Sequence, residues 1–217
     1  MFCVTLTVTK NIANVEAGQI IDQLTESLAV RPDAGGGAVL SFQTIGSRQV
    51  QSWLRSADEV VGFILSAARS GVWEVHLALA PDDQVGELDW HDGESGPSMR
   101  ALMQDLDSLD ASKASGGVQI MLLQGHSLVG AKSSPGLGPI EAGLQLLCSI
   151  ERRRSVEGQE AGLMVNSGYS QKAAAEHLGV SQQAVSSRLQ AGYWYESRRV
   201  AYWLAEQLGE FMEAKLR

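Results

Sequence analysis

The sequence predicts an α+β or α/β fold: a small mixed sheet with covering helices, followed by an all-α helix-turn-helix domain with a long C-terminal helix. Strand-like and helix-like apolar patterns alternate from Phe2 to Gln124, and only helical periodicities follow Pro139. The stretch between them, Gly125–Pro139, is rich in Gly, Ser and Pro and is typical of a linker. We therefore predict two domains, residues 1–137 and 138–217.

The spacing of apolar residues defines the elements of the first domain. Strands alternate apolar and polar residues, whereas amphipathic helices repeat apolar residues every three or four positions. The predicted strands are Phe2–Thr9, Ala38–Ile45, Val72–Ala80 and Gly117–Gln124. The predicted helices are Val15–Val30, Ala57–Ser70 and Pro97–Leu109, and a polar, acidic loop over Pro81–Gly96 precedes the last of them.

The second domain is predicted to be helical throughout. Single helices are expected at Ile140–Ile150, Ser155–Asn166 and Tyr193–Leu216. The last one carries an apolar stripe that predicts a packing face, on its own domain or on a partner subunit: Val200, Trp203, Leu204, Leu208, Phe211 and Met212. The basic run Arg152–Arg154 would contact phosphates or form a solvated joint between domains, and the same two interpretations apply to Arg198 and Arg199.

The segment from Gln171 to Gly192 has the pattern of a helix-turn-helix unit, which places its second helix in the DNA major groove. Ala175 is small where two helices cross closely, and Gly179 stands where the first helix must end in a left-handed conformation. Ser181 is a good N-cap for the second helix. An ordinary αα-hairpin is the alternative, but the polar outer face of the second helix favours DNA binding. The seam between the two helices is apolar, at Leu178, Val180, Val185 and Leu189.

The polar side chains of this unit divide into base-reading and phosphate-contacting roles. Gln182 and Gln183 lie at the N-terminal end of the recognition helix, residues 182–191, where a glutamine can pair bidentately with adenine. Ser186 follows one turn later and would bond a base edge or a phosphate. Arg188 is better placed for a backbone phosphate. The other residues expected to contact DNA are Ser170, Gln171, Lys172, Ser181, Ser187 and Gln190.

Charge is distributed unevenly along the 217 residues, whose formal net charge is −8. Residues 1–149 hold 8 Lys/Arg against 17 Asp/Glu, whereas residues 150–217 hold 9 against 8. Because an acidic surface repels phosphates, only the C-terminal part is expected to approach DNA. Cys3 and Cys148 are isolated in apolar sequence, which predicts buried thiols in a reducing cytoplasm. We expect neither a secretory signal nor a membrane-spanning segment, and hence a cytoplasmic protein.

Two resemblances accompany these patterns. The helix-turn-helix segment resembles that of phage Cro repressors, with which it shares Gln, Ala, Leu-Gly-Val, Gln, Ala and the closing Ala-Gly in register. The whole chain resembles the SatD family of bacterial proteins. The residues that carry this resemblance are the initial strand, GPSMRALMQDLDSL from Gly96, and GYSQKAAAEHLGVSQQAVSSRLQAGYWYESRRVAYWLAEQL from Gly168. It implies an α/β N-terminal domain joined to a C-terminal helix-turn-helix.

One departure from the SatD-like pattern bears on catalysis. At the end of the second strand that family often carries a Gly-Asp-Glu-type segment, similar to a nucleotide-cyclase or cyclic-dinucleotide synthase palm, whereas residues 42–48 here contain no carboxylate. Acidic positions that would hold Mg²⁺ are therefore missing. The four histidines lack metal-ligand spacing, and no nucleophile has a base nearby in the sequence. We expect no enzyme activity, no metal site and no cofactor.

These observations favour a bacterial transcription regulator that binds double-stranded DNA as a homodimer, since one helix-turn-helix covers only a half-site. The stripe on Val200–Leu216 or an exposed edge of the N-terminal sheet would form the dimer. The N-terminal domain would sense a small-molecule or protein effector or build the oligomer. Two alternatives stay open: a nucleotide-binding or cyclase-like enzyme with a DNA-binding tail, and an adaptor whose helix-turn-helix contacts a protein.

Overall fold

The computed structural model describes residues 1–29, 42–45, 47–80, 90–91, 94–95, 117–124 and 127–215. A six-stranded mixed sheet and a long C-terminal helix confirm the predicted fold class. The strands are β1 (Phe2–Val8), β2 (Gln43–Ile45), β3 (Gln49–Leu54), β4 (Trp73–Leu79), β5 (Trp90–His91), β6 (Glu94–Ser95), β7 (Val118–Gln124) and β8 (Ser127–Gly130). The helices are α1 (Asn14–Ala29), α2 (Ala57–Ser70), α3 (Leu137–Arg153), α4 (Val156–Asn166), α5 (Gln171–Leu178), α6 (Gln182–Ala191) and α7 (Trp194–Lys215).

The large sheet has the strand order β2-β3-β1-β4-β7-β8, and β5 pairs separately with β6. Only β4 and β7 are parallel neighbours, and the other pairs in the large sheet are antiparallel. One face packs against α2 and α3, and α7 packs on these two helices. Leu77 and Ile120 of the sheet share a buried cluster with Ile64, Leu144 and Leu208 of the three helices. Burial of such side chains is the main stabilising contribution to this part of the fold.

Helix α2 forms over the residues predicted for it, because its capping residues and its buried apolar face indicate the same helix. The Ser56 hydroxyl accepts a hydrogen bond from the Glu59 backbone N–H, and Gly71 ends the helix in the left-handed conformation, at φ 72°. Val60 and Ile64, one turn apart, are both fully buried against the sheet. Local signals and tertiary packing therefore select the same helix.

Strand β3 was missing from the sequence prediction. Its residues read QVQSWL, and both Gln51 and Ser52 are buried, as are Trp53 and Leu54. Because both faces of this strand are covered, its sequence lacks the apolar-polar alternation of a half-exposed strand. Between β2 and β3, Arg48 donates to the Asn14 side chain at 2.6 Å and to the Thr9 carbonyl at 2.6 Å, and so ties this turn to the end of β1.

The prediction of a linker over Gly125–Pro139 is wrong. Residues 127–130 form β8, which pairs with β7, and α3 already begins at Leu137. A four-residue edge strand that contains Ser and Gly resembles a loop in composition, which explains the error. Pro139 is compatible with α3 because it lies in the first turn, where no intrahelical N–H bond is lost.

The hydrophobic core does not divide at the boundary predicted between residues 137 and 138. Leu144 of α3 and Leu204 and Leu208 of α7 belong to the same buried cluster as the sheet. The predicted stripe of α7 is therefore split: its buried members pack inside this chain, whereas Val200 and Trp203 remain 38% and 49% exposed. A second, smaller cluster lies among α4, α5, α6 and the start of α7.

Three sequence predictions fall outside the described residues in whole or in large part: the acidic loop apart from β5 and β6, the helix Pro97–Leu109, and the first half of the strand Ala38–Ile45. In the described part of the chain, no helix is long and apolar enough to cross a membrane. Both cysteines are buried as free thiols, as predicted.

Candidate nucleic-acid interface

Helices α5 and α6 form a helix-turn-helix whose ends are set by local hydrogen bonds. The Ser170 hydroxyl accepts from the Ala173 backbone N–H, and the Ser181 hydroxyl accepts from the Ala184 N–H, each at 3.1 Å. Gly179 adopts the left-handed conformation, at φ 65°, and its N–H turns back to the last carbonyls of α5. A side chain with a Cβ would be strained in this conformation, which explains the glycine.

A small core of its own holds the two helices together. Ala175, Val185 and Leu189 are at most 4% exposed, and Leu178 and Val180 pack against them while partly buried. The apolar seam predicted from the sequence is therefore present. The unit also packs on α4, where Gly162 leaves room for the ring of Trp194.

The outer face of this unit carries the residues predicted to contact DNA. Gln182 and Gln183 are exposed in the first turn of α6, and Ser186, one turn later, is partly exposed. Gln171 and Arg188 are also partly exposed. The other exposed members of the predicted set are Ser170, Lys172, Ser181, Ser187 and Gln190.

Two cationic side chains of the predicted set, Arg188 and Lys172, lie on this unit, and an acidic residue partly offsets the charge of Arg188. Arg188 lies near the carboxylate of Glu157, whose pKa is lowered by a hydrogen bond from its own backbone N–H, by the Ser155 hydroxyl and by Arg188. Lys172 is exposed in the first turn of α5, where the free backbone N–H groups of a helix also favour an anion. In the part of the chain that the structure describes, this unit therefore offers phosphates two cationic side chains, Lys172 and Arg188, and the N-terminus of α5.

The three arginines at residues 152–154 do not all lie on the surface, although both interpretations, phosphate contact and a solvated joint, assumed that they do. The side chain of Arg154 is only 1% exposed, and its guanidinium donates to Glu151 Oε1 at 2.6 Å, to the Gly192 carbonyl and to Ser197 Oγ. Its guanidinium also lies 4.8 Å from the ring centroid of Trp194. Arg154 is thus a structural cation of the interior, because its charge is balanced there.

This buried arginine belongs to a polar junction that we define as Arg69, Glu151, Arg154 and Ser197. Nε and Nη2 of Arg69 in α2 donate to Glu151 Oε2 at 3.1 and 2.9 Å. The Glu151 side chain is 2% exposed and accepts both from Arg154, whose side chain is 1% exposed, and from Arg69, whose side chain is 30% exposed. The junction connects a helix that covers the sheet with the helices that surround the helix-turn-helix. The guanidinium of Arg198 extends it, at 4.5 Å from the Trp194 ring, whereas Arg199 is exposed.

Sequence reasoning missed one residue at this interface. Tyr195 is 43% exposed, and its hydroxyl accepts a hydrogen bond from Gln171 Nε2 at 3.3 Å. The packing stripe predicted for this helix begins at Val200 and does not include Tyr195. Because Tyr195 and Gln171 belong to different helices and lie 24 positions apart, spacing along one helix gives no signal for this contact.

Comparisons with protein-family models, curated proteins and solved structures find no match to this chain.

Proposed function

We propose that the chain is a cytoplasmic bacterial transcription regulator that binds DNA in a sequence-specific manner through α6. One observation carries the proposal. Two exposed glutamines stand in the first turn of α6, a capped helix that a small hydrophobic cluster holds against α5. Gln182 and Gln183 have the donor and acceptor pair that recognises adenine in the major groove. Their place at the helix N-terminus is the one that reaches base edges in helix-turn-helix proteins.

Backbone contacts would fix the position of α6 on the duplex. The N-terminus of α5, with Lys172 and the hydrogen-bonded pair Gln171 and Tyr195, presents donors suited to one phosphate. Arg188, which is partly exposed in the second half of α6, presents another cation. Such contacts add affinity without sequence preference, and they make binding depend on salt.

Alanine variants separate these two roles in fluorescence anisotropy titrations with the DNA upstream of the protein's own gene. Gln183→Ala should lose about 1–3 kcal/mol of binding free energy and relax the preference at one base pair. Arg188→Ala should weaken binding to all sequences alike and reduce the salt slope by about 1. Gln23→Ala, on an exposed position of α1, is the matched control and should bind as wild type does.

The double variant Gln182→Ala, Gln183→Ala gives the decisive comparison. If it binds the same DNA as tightly and as selectively as the wild type, α6 does not read bases. The helix-turn-helix would then be better interpreted as a surface that contacts a protein, which is the adaptor alternative.

We also propose that two copies bind one operator, since a single α6 covers only a half-site. The exposed part of α7, Val200, Tyr202 and Trp203, is the surface we favour for pairing because Tyr202 and Trp203 are 63% and 49% exposed. Light scattering of Trp203→Glu should show a monomer, and its operator affinity should fall. A wild-type monomer at tens of micromolar with full DNA affinity would contradict this pairing.

We propose that the N-terminal domain, which contains the large sheet, senses an effector or supports the oligomer and does not catalyse a reaction. Residues 42–48, where the resemblance to SatD-like proteins implies acidic positions, contain no carboxylate. Turnover of a nucleoside triphosphate by the full chain in the presence of Mg²⁺ would contradict this and would favour the enzyme alternative.

A further inference from the structure

The helix-turn-helix lies in a unit inserted between two helices that pack on each other. These two helices are α3 and α7, and the chain between them forms α4, α5 and α6, which we call the inserted unit. Residues 154–155 connect α3 to α4, and residues 192–193 connect α6 to α7. We call the large sheet, with α2, α3 and the part of α7 from Ala201 onward, the body. Each end of the inserted unit is therefore joined to α3 or α7 by a connection of two residues.

Helix α7 takes part in two hydrophobic clusters, one in the inserted unit and one in the body. Trp194, in its first turn, belongs to the cluster of the inserted unit, whereas Leu204 and Leu208 belong to that of the body. Among the described residues, no side chain belongs to both clusters. Packing around Trp194 alone would let the inserted unit tilt, so a second attachment is needed to fix its angle on the body.

Arg154 provides this attachment, because its guanidinium bonds across both connections. It lies in the first connection, and its Nε donates to the carbonyl of Gly192, in the second, at 3.0 Å. Its Nη2 donates to Ser197 Oγ at 2.9 Å, and its Nη1 donates to Gln159 Oε1 at 3.3 Å. One side chain thus holds the end of α6 and the first turns of α7 and α4.

The backbone around Arg154 leaves room for its side chain. A Cβ on Gly192 would lie 3.2 Å from Cγ and Nε of Arg154 and from the carbonyl oxygen of Arg188. Gly192 has φ −84°, a value that any residue adopts, so crowding and not backbone conformation accounts for this glycine. A Cβ on Gly158 would lie 3.4 Å from the same Cγ. The close fit keeps the guanidinium in one position.

The body anchors the guanidinium of Arg154 through a carboxylate. Nη1 of Arg154 also donates to Glu151 Oε1 at 2.6 Å, and Glu151 Oε2 accepts from Nε and Nη2 of Arg69. Arg69 belongs to α2, which packs on the sheet. Two contributions of Arg154 are therefore separable. Its charge balances Glu151, whereas the directions of Nε and Nη2 determine the bonds to the inserted unit.

We propose that Arg154 is a positioning residue, which fixes the orientation of the inserted unit on the body and so holds α6 in the orientation that binds DNA. The statement about orientation does not depend on DNA binding, whereas the statement about α6 rests on the proposed function. Lysine keeps the positive charge, but its single flexible ammonium lacks the fixed fork of a guanidinium. Arg154→Lys should therefore keep the fold and loosen the inserted unit.

Pulsed electron paramagnetic resonance between two nitroxide labels measures this orientation in the full chain. The labels are attached at Glu176→Cys in α5 and at Ser66→Cys in α2, because both positions are exposed. The native thiols, Cys3 and Cys148, are buried and stay unlabelled. Dilution of the labelled chain with an excess of unlabelled chain restricts the measurement to distances within one copy.

The distance distribution should be narrow in the otherwise unmodified chain and about twice as wide in Arg154→Lys. Arg153→Lys is the matched control, since Arg153 is the exposed neighbour in the last turn of α3, and it should leave the distribution narrow. An unchanged distribution in Arg154→Lys overturns the proposal, because charge balance with Glu151 would then be the whole role of Arg154.

Gly192→Ala decides the question if Arg154→Lys does not fold. Its Cβ would displace Nε of Arg154 from the Gly192 carbonyl and would leave every charge in place. The distance distribution should then widen or shift. A distribution with the width and the mean of the unmodified chain would overturn the proposal.

Fluorescence anisotropy with the DNA upstream of the protein's own gene tests the statement about α6. If only about a third of the Arg154→Lys molecules hold the competent orientation, the Kd rises about threefold. The salt slope should stay unchanged, because the side chain of Arg154 is 1% exposed and contacts no phosphate. An unchanged Kd would overturn this statement. A wild type that binds no DNA would overturn it together with the proposed function, whereas the distances would still decide the statement about orientation.

Discussion

Removing the charge of Glu151 should destabilise the polar junction that lies between the large sheet's covering helices and the helix-turn-helix. In Glu151→Gln the shape of the side chain is kept, but the guanidinium of Arg154 loses its counter-charge. The side chain of Arg154 is 1% exposed, and the bond to Glu151 is 2.6 Å long. Breaking one partner of a buried ion pair leaves an uncompensated charge in the interior and costs about 3–5 kcal/mol. We expect that loss in the free energy of unfolding.

Urea denaturation, followed by circular dichroism and by tryptophan fluorescence, measures this loss. For a chain of this length the same change lowers the Tm by about 6–20 °C. Two control variants show how much of the loss comes from the buried ion pair. Arg69→Gln should cost about 1 kcal/mol or less, because Arg69 is 30% exposed and water screens its pairing with Glu151. Glu160→Gln, on an exposed position of α4, should stay within about 0.5 kcal/mol of the wild type.

A Glu151→Gln variant within about 1 kcal/mol of the wild type would show that the buried ion pair does not stabilise the fold. Water would then reach Arg154 in solution, or the guanidinium would find another acceptor. If Arg69→Gln costs as much as Glu151→Gln, the exposed arginine carries the stability that we attribute to the buried one.

Three further predictions concern packing, pH and thiol reactivity. A Cβ at Gly162 would overlap the ring of Trp194, so Gly162→Ala should lower the free energy of unfolding, measured in urea, by about 1–3 kcal/mol. Gly62→Ala, whose Cβ meets open space in α2, should raise it by up to about 1 kcal/mol. Burial lowers the pKa of His76 below its ordinary value of 6.5, so the folded chain binds fewer protons than the unfolded chain. The stability that the neutral imidazole contributes is complete above pH 6.5 and is lost as the pH falls toward the folded pKa. Thermal unfolding at several pH values should therefore show a shallower pH dependence of the Tm in His76→Phe. Burial raises the pKa of both cysteine thiols to about 12, so Ellman's reagent should react with the native chain far more slowly than with the urea-unfolded chain, and equal rates would show that the thiols are accessible.

Local signals by themselves determined the helix-turn-helix and the amphipathic helix α2. Gly179 and Ser181 act on backbone groups within a few residues of themselves, and Val185 and Leu189 lie on one face of a single helix. Such information is complete within a short window, because caps and helical periodicity do not depend on what lies across the molecule. The mixed fold class also followed from local periodicity, because strand-like and helix-like apolar patterns alternate along the first part of the chain.

Only the tertiary structure decided which residues meet across the molecule. Arg154 looked like its neighbours Arg152 and Arg153 in the sequence, yet Glu151 and Ser197 balance it in the interior. Strand β3 was hidden because a strand buried on both faces lacks regular alternation, and its residue Gln51 finds its hydrogen-bond partner, Thr5, only across the sheet. These contacts join residues up to 82 positions apart. Their energies come from burial and from charge pairing, which no local pattern in the chain encodes.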